Sequence, residues 1–333
     1  MHAARDAAIG RCLEQCSAAI EQTRPGRWTF VLSNGTLLPA FARASDGWLC
    51  LEAPLVDLAP DADVCSSAWT WLRVNAGLGG TSRIALLPEW DGPHLLADIP
   101  LDEEVDISAR VGEACTAFLR AAHLTTHAST IDLESAADEA LPRAPCEPQG
   151  SAPAGLAGLV ADAGWTFAER DGGRLAVDLG VDVEPGQALI ERRPCGADAS
   201  CSPGDPSGPA GAAGPDGPRG DVQLSVNLMP CAGLTPCSRD AIGLFLLATC
   251  GLVRHARAAA IDTNNSAVAR NSAVARFEVR CGAAPSPVEI GHALSALSVA
   301  CALFGREAHA LCDDRLARAY LAMRADRSHT SIR

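Results

Sequence analysis

Residues 114–123 read ACTAFLRAAH, and residues 300–309 read ACALFGREAH. Six of the ten positions are identical, and the two segments are 186 residues apart. Two shorter matches follow the same order along the chain: RWTF and GWTF at residues 27–30 and 164–167, and NAGL and TCGL at residues 75–78 and 249–252. Three matches in one order indicate an internal duplication. We therefore expect two copies of one folding unit.

The second copy is longer than the first. The offset between copies grows from 137 to 174 residues across the Gly- and Pro-rich run at residues 194–220, which can account for most of that gain. The hexapeptide NSAVAR at residues 265–270 is then repeated at once, which explains the next twelve residues. These features predict a first unit at residues 1–128, a linker at 129–153, a second unit at 154–325 with a flexible insert at 194–220, and a flexible tail at 326–333.

The first unit begins with a helical pattern and continues with strands. Apolar side chains from Ile9 to Ile20 share one helical face, and Pro25-Gly26 would end that helix. Three strand candidates follow, separated by Asn34-Gly35 and Asp46-Gly47. Because these dipeptides are strong hairpin signals, they predict an antiparallel meander.

The rest of the unit alternates helix, strand pair and helix. A second helix is predicted from Ser66 to Gly77, a hairpin around Asp91-Gly92, and a third helix over residues 102–123. In the second unit the middle helix should begin at Ser238, and Ser286-Pro287-Val288-Glu289 predicts a capping box for the last one. Each unit thus reads α-β-β-β-α-β-β-α, an α+β fold of antiparallel sheets with helices packed on one face.

This order of elements resembles the type III secretion chaperones, a Tir-chaperone-like superfamily, and the related bacterial sensory-transduction regulators. The resemblance covers roughly residues 3–123 and 155–324, and it depends on topology, domain size and acidic charge. It implies small acidic proteins that dimerise, bind an extended segment of a partner protein, and use no cofactor and no catalysis. Two units in one chain would then form an intramolecular pseudo-dimer, with a small homo-oligomer as the alternative.

Composition excludes several functional classes. The formal net charge is −13, which opposes binding to nucleic acid or to anionic membranes. All 27 basic residues are arginine, so Schiff-base chemistry and a phosphate-loop lysine are excluded. The beginning of the sequence shows no signal-peptide pattern, and the apolar stretch from Ala241 to Val253 is too short to span a bilayer. We therefore expect a cytoplasmic protein without membrane insertion.

No catalytic motif stands out. Cys115 and His123 are about two helical turns apart, which is too far for a thiol–imidazole pair. Cys12 and Cys16 have helical spacing but lack the four ligands of a structural zinc site. The cysteines expected in exposed loops are Cys195, Cys201, Cys231 and Cys237. With His255 or His292 they leave open a thiol- or metal-dependent enzyme or redox protein.

Tryptophan is concentrated in the first unit. Because tryptophan is enriched at interface hot spots, we selected four candidate partner-binding residues: Trp48, Trp69, Trp71 and Trp90. The sequence thus favours a non-enzymatic protein-binding module without metal or cofactor that captures a segment of a partner protein. A scaffold subunit of a larger assembly is a further alternative.

Overall fold

The computed structural model describes residues 2–33, 37–55, 64–87, 92–128, 154–181, 186–192, 221–262, 273–282 and 284–330. The linker at 129–153, the insert at 194–220 and the Asn34-Gly35 turn lie outside these residues. Within them the chain forms seven α-helices and two antiparallel sheets of six strands each. The predicted α+β fold with two similar units is therefore confirmed.

The first unit has three helices around one sheet. Its elements are α1 (His2–Cys16), β1 (Ala19–Arg24), β2 (Arg27–Ser33), β3 (Leu37–Ser45), β4 (Trp48–Pro54), α2 (Val64–Gly77), β5 (Ser82–Leu86), β6 (Pro93–Pro100) and α3 (Ile107–Ala128). The strand order in the sheet is β1-β2-β3-β4-β6-β5.

The second unit follows the same path and adds one helix. Its elements are α4 (Ala154–Asp162), β7 (Phe167–Arg170), β8 (Arg174–Asp178), β9 (Gln187–Arg192), β10 (Val222–Pro230), α5 (Pro236–Leu252), β11 (Arg257–Asp262), β12 (Ala273–Cys281), α6 (Pro287–Ala310) and α7 (Asp314–Thr330). Its strand order, β7-β8-β9-β10-β12-β11, matches that of the first sheet. The tail expected from residue 326 is helical as far as Thr330.

Each unit contains one more strand than predicted. The helix at the N-terminal end stops at Cys16, and Ile20 belongs to β1, which pairs with β2. Pro25-Gly26 is the turn of this hairpin, since Arg24 lies opposite Arg27 and Gly26 has a φ of 70°. A proline followed by a glycine with positive φ suits a type II turn. The prediction that Pro25-Gly26 ends a helix is therefore wrong.

One of the three sequence matches does not join equivalent positions. Trp28 lies in β2, whereas Trp165 precedes β7, the counterpart of β1. The true counterpart of β2 is β8, which begins 147 residues after it. The other two matches do fall on corresponding elements, the ends of α2 and α5 and the helices α3 and α6.

Two local sequence signals predict where helices start, and the structure tests both. Ser286 and Glu289 form the predicted capping box at the start of α6. The middle helix begins two residues earlier than expected, because Thr235 is its N-cap, Pro236 follows, and the Ser238 N–H donates to Thr235 Oγ1 at 3.1 Å.

In the described chain one helix, α6, is long and apolar enough to cross a membrane, with 44% of its most apolar window buried. Its inner stripe, including Leu294 and Leu297, belongs to the protein core.

The two units pack through their middle helices. Helix α2 packs on α5 and on β11 of the second unit, and α5 packs reciprocally on β5 of the first. Glycines permit this close approach: a Cβ at Gly251 would lie 2.5 Å from the Leu86 carbonyl oxygen, and one at Gly243 would lie 3.1 Å from the Trp69 nitrogen. The sheet edges β1 and β7 remain at the outer ends of the two sheets.

Candidate functional site

Arginines from each unit bind the C-terminal end of the other unit's middle helix. Arg83 Nε donates to the Cys250 carbonyl at 2.8 Å, and Arg257 Nη1 donates to the Leu78 carbonyl at 2.7 Å. Cationic side chains are favourable there, because the last carbonyls of a helix have no partner within the helix. These contacts fix the position of the chain segment that follows α5. This segment forms part of the candidate site.

A cavity of about 300 Å³ lies where the two units meet at the end of α5. The first unit contributes the start of β4, and the second contributes the α5–β11 turn and one face of α6. The lining residues are Trp48, Leu252, Val253, Arg254, His255, His292, Ser295, Ala296, Val299, Leu303 and Phe304. The volume is at the lower end of the range for ligand pockets.

Trp48 is held at the mouth of the cavity by the β3–β4 turn. Asp46 and Gly47 both have positive φ, as the predicted two-residue hairpin requires, and Ser45 pairs with Trp48. The half-buried indole makes edge contacts with two histidines of the second unit. Its ring centroid lies 5.8 Å from that of His255 and 4.9 Å from that of His292.

His255 occupies a strained turn between α5 and β11. Its φ is 72°, and the Ala256 N–H donates to the Arg254 carbonyl at 2.8 Å, which closes a γ-turn around it. A γ-turn with positive φ is rare and strained for a residue other than glycine. Such strain persists only where the surroundings enforce it, and it is concentrated at functional sites.

The ring of His255 is buried and only partly satisfied. Asp98 contacts both the backbone and the ring of His255. Asp98 Oδ2 accepts from the His255 N–H at 3.1 Å, and the Asp98 backbone oxygen lies 3.4 Å from His255 Nδ1. His255 is 2% exposed, and its Nε2 has no hydrogen-bond partner in the described chain. Burial lowers the pKa of His255 to about 4, so the ring is neutral near pH 7.

His292 is the more accessible of the two histidines. It projects from the first turns of α6, and its Nε2 lies 3.2 Å from Asp102 Oδ2 of the first unit. Asp102, Glu103 and Glu104 are all exposed, and Asp102 places a carboxylate beside His292, which lines the cavity. The exposed Arg254, which forms no ion pair with the described residues, also lines the cavity.

The outer part of the cavity is apolar. Leu252 is 59% exposed, Val299 47% and Leu303 57%, and all three line it together with Phe304. We call this surface, with Trp48, the Trp48 groove. Exposed apolar side chains that meet around a cavity are typical of binding surfaces.

A cysteine lies close to this groove but lacks the properties of a nucleophile. Cys50 is opposite Asp98 in the β4–β6 register. Burial, with the charge of Asp98, raises the pKa of its thiol to about 12. A catalytic cysteine requires a lowered pKa and an adjacent base, whereas His255 Nδ1 faces a backbone oxygen. The arrangement therefore does not support thiol catalysis.

The structure separates the four selected tryptophans. Trp48 lines the groove, Trp69 is half-buried on α2, and Trp90 lies outside the described residues. Trp71 is 1% exposed, so its side chain is part of the core and unavailable as a binding surface. The two positions are two residues apart, so on one helix their side chains point in nearly opposite directions and could not share one binding face.

The loop cysteines give no support to a metal or redox centre. Cys195 and Cys201 lie outside the described residues. Cys231, expected to be exposed, is buried, and burial raises its thiol pKa to about 11. Cys237 is half-buried in the first turn of α5. In the described part of the chain no three His, Cys, Asp or Glu side chains are grouped so that they could hold a metal ion.

Sequence reasoning missed most of the groove. The sequence indicated His255 and His292 only as partners for cysteines and Leu252 only as part of a repeat, and no pattern indicated Arg254, Val299 or Leu303. The available signal was Gly251-Leu252, whose match in the first unit lies at the end of α2, followed by Val253-Arg254 where the first unit has Gly79-Gly80, and then by His255. Comparisons of the chain with protein-family models, curated proteins and solved structures find no match.

Proposed function

We propose that this protein is a non-enzymatic binding protein that captures an apolar segment of another protein in the Trp48 groove. The observation that carries the proposal is the meeting of three half-exposed aliphatic side chains, Leu252, Val299 and Leu303, beside a preformed cavity. An extended segment could lay alternate side chains into such a groove.

The charge around the groove specifies the partner further. The chain has a net charge of −13, the exposed Asp102 contacts His292 of the cavity, and the exposed Glu103 and Glu104 follow it in sequence. Complementary charge accelerates association and selects partners. The expected segment is therefore apolar with flanking basic residues, and its binding should weaken as salt concentration rises.

Two features support binding rather than catalysis. Burial raises the pKa of the Cys50 thiol, and Nδ1 of the neutral His255 faces a backbone oxygen instead of a nucleophile. The two units, joined in one chain, would act as the equivalent of a chaperone-like dimer. The groove requires both, since Trp48 belongs to the first unit and His255 to the second.

The test compares two exposed leucines. Leu303 is 57% exposed in the groove, whereas Leu316 is 50% exposed on α7 and does not line it. Partners are isolated from native extract with three proteins: wild type, Leu303→Asp and Leu316→Asp. Synthetic peptides that cover each recovered partner are then titrated against the same three proteins. We expect an apolar, basic-flanked peptide to bind wild type and Leu316→Asp but to lose at least tenfold in affinity for Leu303→Asp.

Equal affinity for Leu303→Asp and Leu316→Asp would contradict the proposal. Recovery of a partner whose binding peptide is acidic or uniformly polar would also contradict it. Thermal melting of all three proteins shows whether either substitution disturbs the fold.

A further inference from the structure

A ring nitrogen at the buried end of the Trp48 groove has no hydrogen-bond partner in the described chain. His255 lines the cavity and is 2% exposed, and its Nε2 lacks a partner in the described chain. An unsatisfied buried polar atom costs free energy, so such atoms in proteins usually mark an absent ligand, ion or water.

The tautomer of His255 follows from its neighbour. Nδ1 lies 3.4 Å from the Asp98 backbone oxygen, which can only accept a hydrogen bond. Nδ1 of the neutral ring must therefore carry the proton, and Nε2 must present a lone pair. The site consequently selects a group that donates, such as a hydroxyl or an N–H, and not a carboxylate or a carbonyl.

The walls above Nε2 select the body of the ligand. The cavity that His255 lines also has the half-exposed Leu252, Val299 and Leu303 in its walls, and the ring beside His255 is that of Trp48. An aromatic side chain that makes edge contacts favours another aromatic ring as its neighbour. A serine hydroxyl brings little apolar surface to pack against these side chains.

We infer that the Trp48 groove binds an aromatic side chain that carries a hydrogen-bond donor at its tip, as tyrosine and tryptophan do, with His255 Nε2 as the acceptor. This inference rests on the proposed function, since that side chain would be the anchor of the captured segment. Tyrosine and tryptophan supply a large apolar surface together with one polar group that needs a partner when buried.

Binding requires a small movement of Trp48. The indole contacts both histidine rings, and His255 Nε2 is inaccessible while it does so. The incoming ring must replace the indole at His255, a side-chain adjustment that is common at interfaces. The indole N–H signal of Trp48 should therefore report ligand binding directly.

The test uses two probes that differ by one hydroxyl, N-acetyltyrosinamide and N-acetylphenylalaninamide. Each is titrated into the full ¹⁵N-labelled chain at pH 7, and the Trp48 indole signal is assigned with Trp48→Phe. The proteins are wild type, His255→Asn and His309→Asn. Asparagine tolerates the positive φ of residue 255, and His309 is an exposed residue of α6 that does not line the cavity.

We expect the tyrosine probe to bind wild type and His309→Asn about 3- to 10-fold more tightly than the phenylalanine probe, since one net hydrogen bond is gained. In His255→Asn this preference should disappear, while the affinity for the phenylalanine probe stays within about twofold of its wild-type value.

Equal affinity of wild type for both probes would overturn the inference. A preference for tyrosine that persists in His255→Asn would overturn it as well, as would the absence of any shift of Trp48. The peptide titrations with Leu303→Asp remain independent: a partner peptide that binds the groove without an aromatic donor would sustain the proposed function and refute this anchor.

Discussion

Helix α2 ends at Gly77 and is followed by Leu78, and helix α5 ends in the matching pair Gly251-Leu252, yet the two leucines differ in exposure. Leu78 after α2 is 1% exposed, whereas Leu252 at the end of α5 is 59% exposed. Three residues connect Leu78 to β5, including Gly80 with a φ of 55°, but four residues connect Leu252 to β11. In the longer connection a histidine, not a glycine, takes the positive φ.

The corresponding strands of the two units, β4 and β10, also differ in the residue with which they begin. Trp48 opens β4 beside the end of α5, and the residue that opens β10 in the second unit is the buried Val222. The end of α2 is closed by arginines, since Arg257 and Arg280 each donate Nη1 to the Leu78 carbonyl. Duplication thus produced one closed and one open end, and only the open end has the Trp48 groove.

The closed end depends on a single buried carboxylate. Glu278 is fully buried and contacts Arg257 Nη2 at 2.7 Å, Arg280 Nε at 3.6 Å and Arg276. Gln223 also donates to it, at 2.8 Å. Three cations around one anion make this the site where loss of a charge should have the largest effect.

The first prediction removes this charge. We expect Glu278→Gln to lower the free energy of unfolding by roughly 3–5 kcal/mol, because buried arginines lose their counter-ion while their desolvation remains. Chemical denaturation followed by circular dichroism measures the change. The matched control is Asp314→Asn, which breaks the exposed pair with Arg318 and should leave stability unchanged within error. Similar losses in both variants would show that burial at the unit interface is not the cause.

The second prediction compares the two leucines directly. Leu78→Ala should destabilise the protein by about 2–5 kcal/mol, because it leaves a cavity at the unit interface. Leu252→Ala removes a side chain that is mostly in solvent and should cost less than about 0.5 kcal/mol. Denaturation curves of the two variants measure the contrast. If Leu252→Ala were as costly as Leu78→Ala, the groove would be closed in solution.

The sequence allowed prediction of the fold better than of the site, for a physical reason. Hairpin turns and caps are local, so Asp46-Gly47 and the Ser286–Glu289 capping box could be identified from adjacent residues. The exception, β1, was lost because Pro25-Gly26 suits both a helix end and a turn. The groove is non-local, since Trp48 and His255 are brought together only by the packing of two units. No periodicity encodes that pairing, and the strain at His255 is invisible without its φ.

The smallest expected effect concerns the strained histidine of the open end. Burial lowers the pKa of His255 to about 4, although the charge of Asp98 acts in the opposite direction. In the unfolded chain the pKa is the ordinary 6.5, so between these values the unfolded state binds the extra proton. The contribution of His255 to stability is therefore complete above pH 6.5 and is lost as pH falls towards 4. From pH 7.5 to pH 5.0, wild type should lose about 2 kcal/mol more than His255→Asn.

Urea denaturation of both proteins at the two pH values measures this difference. The other groups near the ring, Asp98, Arg83 and His292, are present in both proteins, so their titration contributes to both losses and largely cancels. An equal loss in wild type and His255→Asn would mean that the ring can accept a proton without cost, and hence that it is not sealed beneath Trp48. A larger loss in wild type would establish a neutral, buried imidazole at the base of the groove, the state in which Nε2 can accept a hydrogen bond.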